Sequence, residues 1–326
     1  MHPAFSVIFL TTLIGVGQGL FLALVTGQVY SLANLLQPQD SVRFYALGSL
    51  LALIFLIAGL VASVFHLGRP ERAWRAATRW RTSWLSREVI VLPLFMGLVF
   101  LYGFIHFMGW TDPLFIIRGR LPVDATLILG VLGALAAFAL YGCTAMIYAS
   151  IPFIEEWHSP YTPINFVLLG LASGFTLAAA FSAWLGVDLV AFYGAWAVIF
   201  TLAAAVSRLL SMRRNARLVH KSTLQTAIGI RHNQIVQKSQ GFMGGNFNTR
   251  EFFHGAPPWK VRLVKIFFVL AVFVVPPLLL GLAWLIHSPQ LPVAAFVVQY
   301  LGLLGERWYF FVEARHPQNL YYQSMA

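Results

Sequence analysis

The protein has 326 residues, 59% of them hydrophobic and 10% charged, with 22 Lys and Arg against 11 Asp and Glu for a net charge of +11. A soluble domain carries roughly 25% charged residues, so this much apolar surface has no place except in lipid, and a soluble fold is excluded. The positive excess would suggest nucleic acid in a soluble protein. Here the bases cluster in loops between apolar segments, and no folded basic domain is left to bind nucleic acid.

In chain order, the opening Met1-His2-Pro3 lacks a basic stretch and a cleavage site, so no cleavable leader is expected. A membrane-spanning helix needs roughly 20 apolar residues. Eight segments qualify: Phe5–Leu36, Val42–His66, Glu88–Gly109, Val123–Ser150, Ile164–Leu185, Leu189–Leu210, Val261–Ile286 and Leu291–Val312. The expectation is an all-α, polytopic membrane protein of about eight transmembrane helices in a single domain. Within the first segment, Gly15-Val16-Gly17-Gln18-Gly19 is spelled like a dinucleotide fingerprint but has no strand before it. Close helix packing through small residues is the better account. Pro276-Pro277 falls inside the seventh segment and predicts a kink there.

Two loops stand out. The second, Leu67–Arg87, holds six arginines against one glutamate, and the sixth runs about fifty residues, from Ser211 to Lys260. The sixth loop interleaves aromatics with glycines, which argues against simple disorder and predicts a docking surface at about 211–260, with Phe242, Arg250 and Phe252 among its residues. With the even-numbered loops and both termini in the cytoplasm, 19 of the 22 Lys and Arg lie inside and Arg43, Arg118 and Arg120 outside. The positive-inside tendency favours that orientation. No pair of broken helices points to an inverted-repeat transporter, and the ionisable groups sit at span ends, whereas a secondary transporter needs them at mid-membrane.

Chemistry concentrates at the ends of the second and third segments. His66 closes one and Glu88 opens the other, so antiparallel packing brings both to the cytoplasmic membrane boundary. Such a pair can bind quinone carbonyl oxygens and exchange the protons of two-electron redox chemistry. The plain alternative is an interfacial histidine beside a glutamate favoured by the helix dipole. Glu306 and Arg307 place an acid and a base in the last segment, either as a functional proton or structural pair or near enough to the surface to snorkel. Cys143 is the single cysteine, so the protein can hold neither an intramolecular disulfide nor a four-thiolate cluster. His106 and His287 both fall near outer helix ends, but neither sits in a pocket pattern, and no haem is expected.

The run His66-Leu-Gly-Arg-Pro-Glu-Arg-Ala73, continuing to Leu85-Ser-Arg-Glu88, closely resembles the membrane anchor subunit of dimethyl sulfoxide reductase. The eight segments and the opening residues extend the resemblance over most of the sequence. It implies that His66 and Glu88 bind quinone, together with Arg72, the motif arginine, and the neighbouring Arg69. The last segment departs from that pattern, because Glu306 and Arg307 are adjacent here, so no role carries over to Arg307. Two stretches of the sixth loop, Lys221–Ile230 and Gln240–His254, are similar to the membrane subunit of the cytoplasmic sulfite-oxidising enzyme of sulfur-oxidising bacteria.

This resemblance implies a multi-pass anchor in the bacterial inner membrane, with a molybdopterin catalytic subunit and an iron–sulfur subunit on the cytoplasmic side. Electrons taken from sulfite would pass through the partners' cofactors to ubiquinone or menaquinone. Arg69, Arg75, Arg79 and Arg81 either hold an acidic face of the iron–sulfur partner or only set topology. The alternatives are the anchor of a sulfoxide-type reductase oxidising menaquinol, a passive anchor without a quinone site, and a secondary transporter.

Overall fold

The computed structural model describes residues 1–117, 121–236, 238 and 247–322. Phe242, Arg118 and Arg120 therefore lie outside the described residues. All eight expected segments are long helices: α1 (Phe5–Leu32), α2 (Ser41–Val64), α3 (Trp84–Met108), α4 (Ala125–Ala149), α5 (Tyr161–Leu185), α6 (Val190–Asn215), α7 (Pro258–Ile286) and α8 (Gln290–Glu313). Seven of them are long and apolar enough to cross a membrane. The eighth, α8, has 24 residues, about 36 Å at 1.5 Å per residue, but carries Gln299, Glu306, Arg307 and Glu313.

Local chemistry sets the ends. Ser83 caps α3 by accepting from the Ser86 N–H at 3.3 Å, and Asp124 caps α4 by accepting from Leu127 at 2.7 Å. α3 and α5 stop at Gly109 and Gly186, whose φ of +70° and +69° suits glycine. α6 runs five residues past the expected Leu210. Arg213 and Arg214 in its last turn complement the helix dipole, and Arg214 Nη1 donates to the Glu155 carbonyl at 2.9 Å. In α7 the expected disturbance takes the form of a π-helical stretch, Val269–Val274, just before Pro276-Pro277, where the prolines cannot donate to the preceding carbonyls. A short antiparallel pair, β1 (Phe115–Ile117) and β2 (Leu121–Val123), links α3 to α4.

Successive helices run antiparallel, so the bundle has two distinct ends. At one, the loop face, the starts of α1, α3, α5 and α7 meet the ends of α2, α4, α6 and α8. Trp157 Nε1 donates to the Phe310 carbonyl there at 3.0 Å, and the His2 N–H donates to the Glu251 carbonyl at 2.9 Å. At the far face, Gln28 of α1 accepts from the Tyr102 hydroxyl at 3.0 Å and donates to Thr126, which bonds Asp124. Between these ends Phe21 packs edge-on against Phe95 and Tyr102, with ring centroids 5.5 and 5.3 Å apart.

α1 and α5 are the most enclosed helices, and the outer faces of the others carry the exposed Leu, Ile and Phe expected against lipid. The glycines expected to pack do so. A Cβ on Gly19 would come within 2.9 Å of Gly174 Cα and closer still to the Gly170 carbonyl, and one on Gly17 would meet Leu56 at 2.9 Å. Gly19→Val should therefore lower the thermal melting temperature of the detergent-solubilised protein sharply, because overpacking costs ~1–3 kcal/mol and the obstruction here is backbone. Gly142→Ala, with nothing within 4 Å of the new Cβ, should leave it unchanged or slightly raised.

Candidate functional site

Glu88 lies in the second turn of α3, where antiparallel packing sets it against the end of α4. It is 7% exposed, and its Oε1 accepts a hydrogen bond from the Thr144 hydroxyl at 2.5 Å. A cavity of about 30 Å³ opens beside it. Its polar lining comes from Thr11, Thr12 and Gln18 of α1, Glu88, Tyr141, Thr144, Ser173 of α5 and Arg307 of α8, and the rest includes Ile14, Phe166, Leu169 and Leu303. Gln18 Nε2 donates to the Ala137 carbonyl at 2.9 Å, and the Tyr141 hydroxyl donates to the Gly15 carbonyl at 2.9 Å.

A second cavity, of about 10 Å³, shares Phe166 and Arg307 with the first and adds Glu156, Asn165, Arg208, Glu306 and Glu313. Its charges form a buried network. Glu306 Oε2 lies 2.7 Å from Arg307 Nε, Glu306 Oε1 lies 2.8 Å from Arg208 Nε, and Arg208 Nη1 reaches Glu313 at 3.4 Å. The Arg307 guanidinium also sits 4.1 Å from the centre of the Phe166 ring and 5.0 Å from that of Phe310, a cation–π arrangement strengthened by desolvation. Isolated charges at such depth are costly, and pairing offsets the cost. Glu306 and Arg307 are 1% and 4% exposed, so neither reaches water by snorkelling.

The expected residues divide into two groups. Glu88, Glu306 and Arg307 gather around the two cavities. His66 lies at the loop face, just past the end of α2, on the surface and outside the cavity lining. Partial burial holds its imidazole below the usual histidine range. Arg69, Arg72, Arg75, Arg79 and Arg81 are exposed around the 3₁₀ segment Pro70–Arg79. The Arg72–Glu71 contact of 3.8 Å is a surface pair that contributes little, while Arg75 and Arg81 lie over Trp74 and Trp80 at 5.5 Å each. Arg250 is exposed. Phe252 stacks on His316 at 3.8 Å, and its carbonyl accepts from Asn319 at 3.0 Å, tying the sixth loop to the C-terminal segment. His106 is buried at the far face, with Nδ1 3.0 Å from the Ser41 hydroxyl and its ring stacked on Tyr45 at 4.6 Å. His287 ends α7 with φ +52° and takes no part in that stack.

Sequence reasoning missed Gln18, Thr144, Glu156, Arg208 and Glu313. One signal was present: Glu306 and Glu313 stand seven residues apart, on one helix face, and Arg208 is a lone base preceding the basic end of α6. The hydroxyl and amide groups carried none, because such residues are common in packed membrane helices.

Long apolar helices with a buried carboxyl and a paired charge cluster at one end define a multi-pass membrane protein whose polar groups concentrate at its loop face. The chain belongs to the DMSO reductase anchor subunit (DmsC) family, which it matches over residues 1–305. It is 64% identical over 326 residues to the C component of the sulfite dehydrogenase of Allochromatium vinosum, covering 100% of both proteins. It is 31% identical over 176 residues to the C component of the anaerobic dimethyl sulfoxide reductase of Escherichia coli, covering 52% of this protein and 56% of that one. The like-named component of the Haemophilus influenzae reductase is 27% identical over 128 residues, 39% of this protein and 42% of that one.

Removing one partner from a buried ion pair costs ~3–5 kcal/mol, because the other charge stays buried alone. Arg208→Met leaves Glu313 without its ion-pair partner while Glu306 keeps Arg307, so it should destabilise the protein more in denaturant titrations than the double variant Arg208→Met/Glu313→Gln. Additive losses would show that the 3.4 Å contact carries no coupling.

Proposed function

We propose that this protein is the quinone-binding anchor of a three-subunit molybdopterin oxidoreductase that oxidises sulfite. It would pass electrons between an iron–sulfur subunit and the quinone pool of the bacterial inner membrane. End-to-end identity of 64% with a sulfite dehydrogenase component favours sulfite over sulfoxide chemistry, since the sulfoxide reductase components match about half of this sequence or less. The partners would dock on the loop face, taken as cytoplasmic from its positive charge, with Arg75, Arg79, Arg81, Arg250, Phe242 and Phe252 in their path.

The observation that carries the quinone reading is the buried Glu88 carboxyl beside a cavity that also holds an unpaired donor. Arg307 Nη1 has no hydrogen-bond partner among the described residues. A quinone supplies two-electron, two-proton chemistry, and its carbonyl oxygens accept the hydrogen bonds such groups offer. The cavity is about 30 Å³, against ~150 Å³ for one that takes a benzene ring. Its polar groups therefore fit the carbonyl end of a quinone, and the ring stays outside. Within the cavity Glu88 would hold and exchange the proton, Thr144 would orient the carboxyl, and Arg307 would stabilise negative charge. His66, with Arg69 and Arg72, would act from the surface beside it, where a neutral imidazole accepts a proton.

In the assembled complex, Glu88→Gln should lower quinone reduction about 100-fold or more, the scale of general acid–base catalysis, while a soluble dye is still reduced. His66→Arg should behave alike, and a normal quinone rate in that variant would remove His66 from the site. Sidedness has its own check. Protease added to inverted vesicles should cleave the 211–260 loop, and intact spheroplasts should protect it, with the partner-free protein as the control for shielding. Cleavage from the periplasmic side would place the catalytic partners outside and favour a periplasmic reductase.

A further inference from the structure

We propose that the two cavities form one hydrated proton path joining the Glu88 carboxyl to the loop face, passing Arg307 and Glu306 and opening at Glu156 and His220. The inference rests on the reading of Glu88 as the group that exchanges protons with quinone. Reduction of one quinone consumes two electrons, supplied by the iron–sulfur partner, and two protons, which must reach a carboxyl that is 7% exposed.

Three observations carry the path. The cavities are adjacent, with Phe166 and Arg307 forming the wall they share. Each has room for water, which needs ~10–15 Å³ of such space and two to four polar partners: the first is about 30 Å³ and the second about 10 Å³. The polar partners are in place and unused, because Glu156 Oε2, Asn165 Oδ1 and Arg307 Nη1 are buried without a hydrogen bond among the described residues, on side chains 4–5% exposed.

The charges suit a moving proton. A guanidinium does not release its proton, so the proton passes Arg307 on water and on Glu306. Three carboxyls, Glu156, Glu306 and Glu313, face the two guanidiniums of Arg208 and Arg307, so the second cavity does not repel a cation. At the outer end, the His220 imidazole lies 3.6 Å from Glu156 and is about one-third exposed. It joins the buried carboxyl to the water of the loop face.

The test uses the assembled complex in liposomes, with quinone and a soluble dye as alternative acceptors. Glu156→Gln and Glu313→Gln keep side-chain volume and remove a proton-exchanging group. Each should lower kcat for quinone about tenfold, leave KM and the dye rate unchanged, and recover on addition of formate, a small acid that carries protons. Hydration has a readout independent of turnover. Pulsed radiolytic labelling oxidises rings beside bound water, so Phe166 and Phe310 should label several-fold faster than Phe21 and Phe95 in the core. Labelling no faster than the core rings, a full quinone rate in both Gln variants, or a loss that formate does not restore would overturn the path. A normal quinone rate in Glu88→Gln alongside the expected labelling would instead overturn the quinone reading and leave the hydrated cavities standing.

Discussion

The contact on which the bundle depends is the close approach of α1 to α5, where Gly19 lies against Gly170 and Gly174 with no room for a Cβ. Lipid tails are as apolar as leucine, so helices in a membrane gain little by hiding side chains from them and associate through packing and hydrogen bonds instead. Bringing two backbones together is the most compact form of that packing. The same seam shapes the site. Gly15 and Gly170 line the Glu88 cavity, and the Tyr141 ring occupies the space a Cβ on Gly170 would take, which lets its hydroxyl reach the Gly15 carbonyl.

The charged cluster at the loop end of α8 follows from that arrangement. α8 packs on α1 and α5 with Glu306 and Arg307 turned inward, and Arg208 of α6 answers both Glu306 and Glu313. Each charge has an opposite neighbour within 3.4 Å. The aromatic rings of Phe166 and Phe310 cover Arg307 and narrow the space around it. The pairs that make the charges tolerable still leave Arg208 Nη2, Arg307 Nη1 and Glu156 Oε2 buried without a hydrogen bond among the described residues.

Much of the fold was legible in the sequence because a spanning helix needs a long apolar run, and such runs are hard to mistake. The positions of all eight segments follow from it, and so does the packing role of Gly15–Gly19. Boundaries were less legible, as at α6, where basic residues continue the helix beyond its apolar stretch. Glu88, Glu306 and Arg307 were visible as charges out of place. Their assembly was not, because it depends on which helices are neighbours: nothing in the order of residues says that α8 lies beside the start of α5, or that Arg208 meets Glu306. Antiparallel segments lead one to expect His66 and Glu88 at one membrane level, but level alone does not fix direction. Glu88 turns into the bundle and His66 stays at its surface.

Phe21, Phe95 and Tyr102 stand between the polar loop end and the Gln28–Thr126–Asp124 group at the far face. The hydroxyls of Ser173, Thr176 and Ser182 along α5 all turn back to carbonyls of their own helix. Gln18 and Gln28 are ten residues apart on α1, about 15 Å of helix, and the rings fill that interval. On the path proposed above, the bundle would act as an insulator with a wet contact at one end. Charge admitted from the loop face would leave by the same face, and its passage would do no work against the membrane voltage.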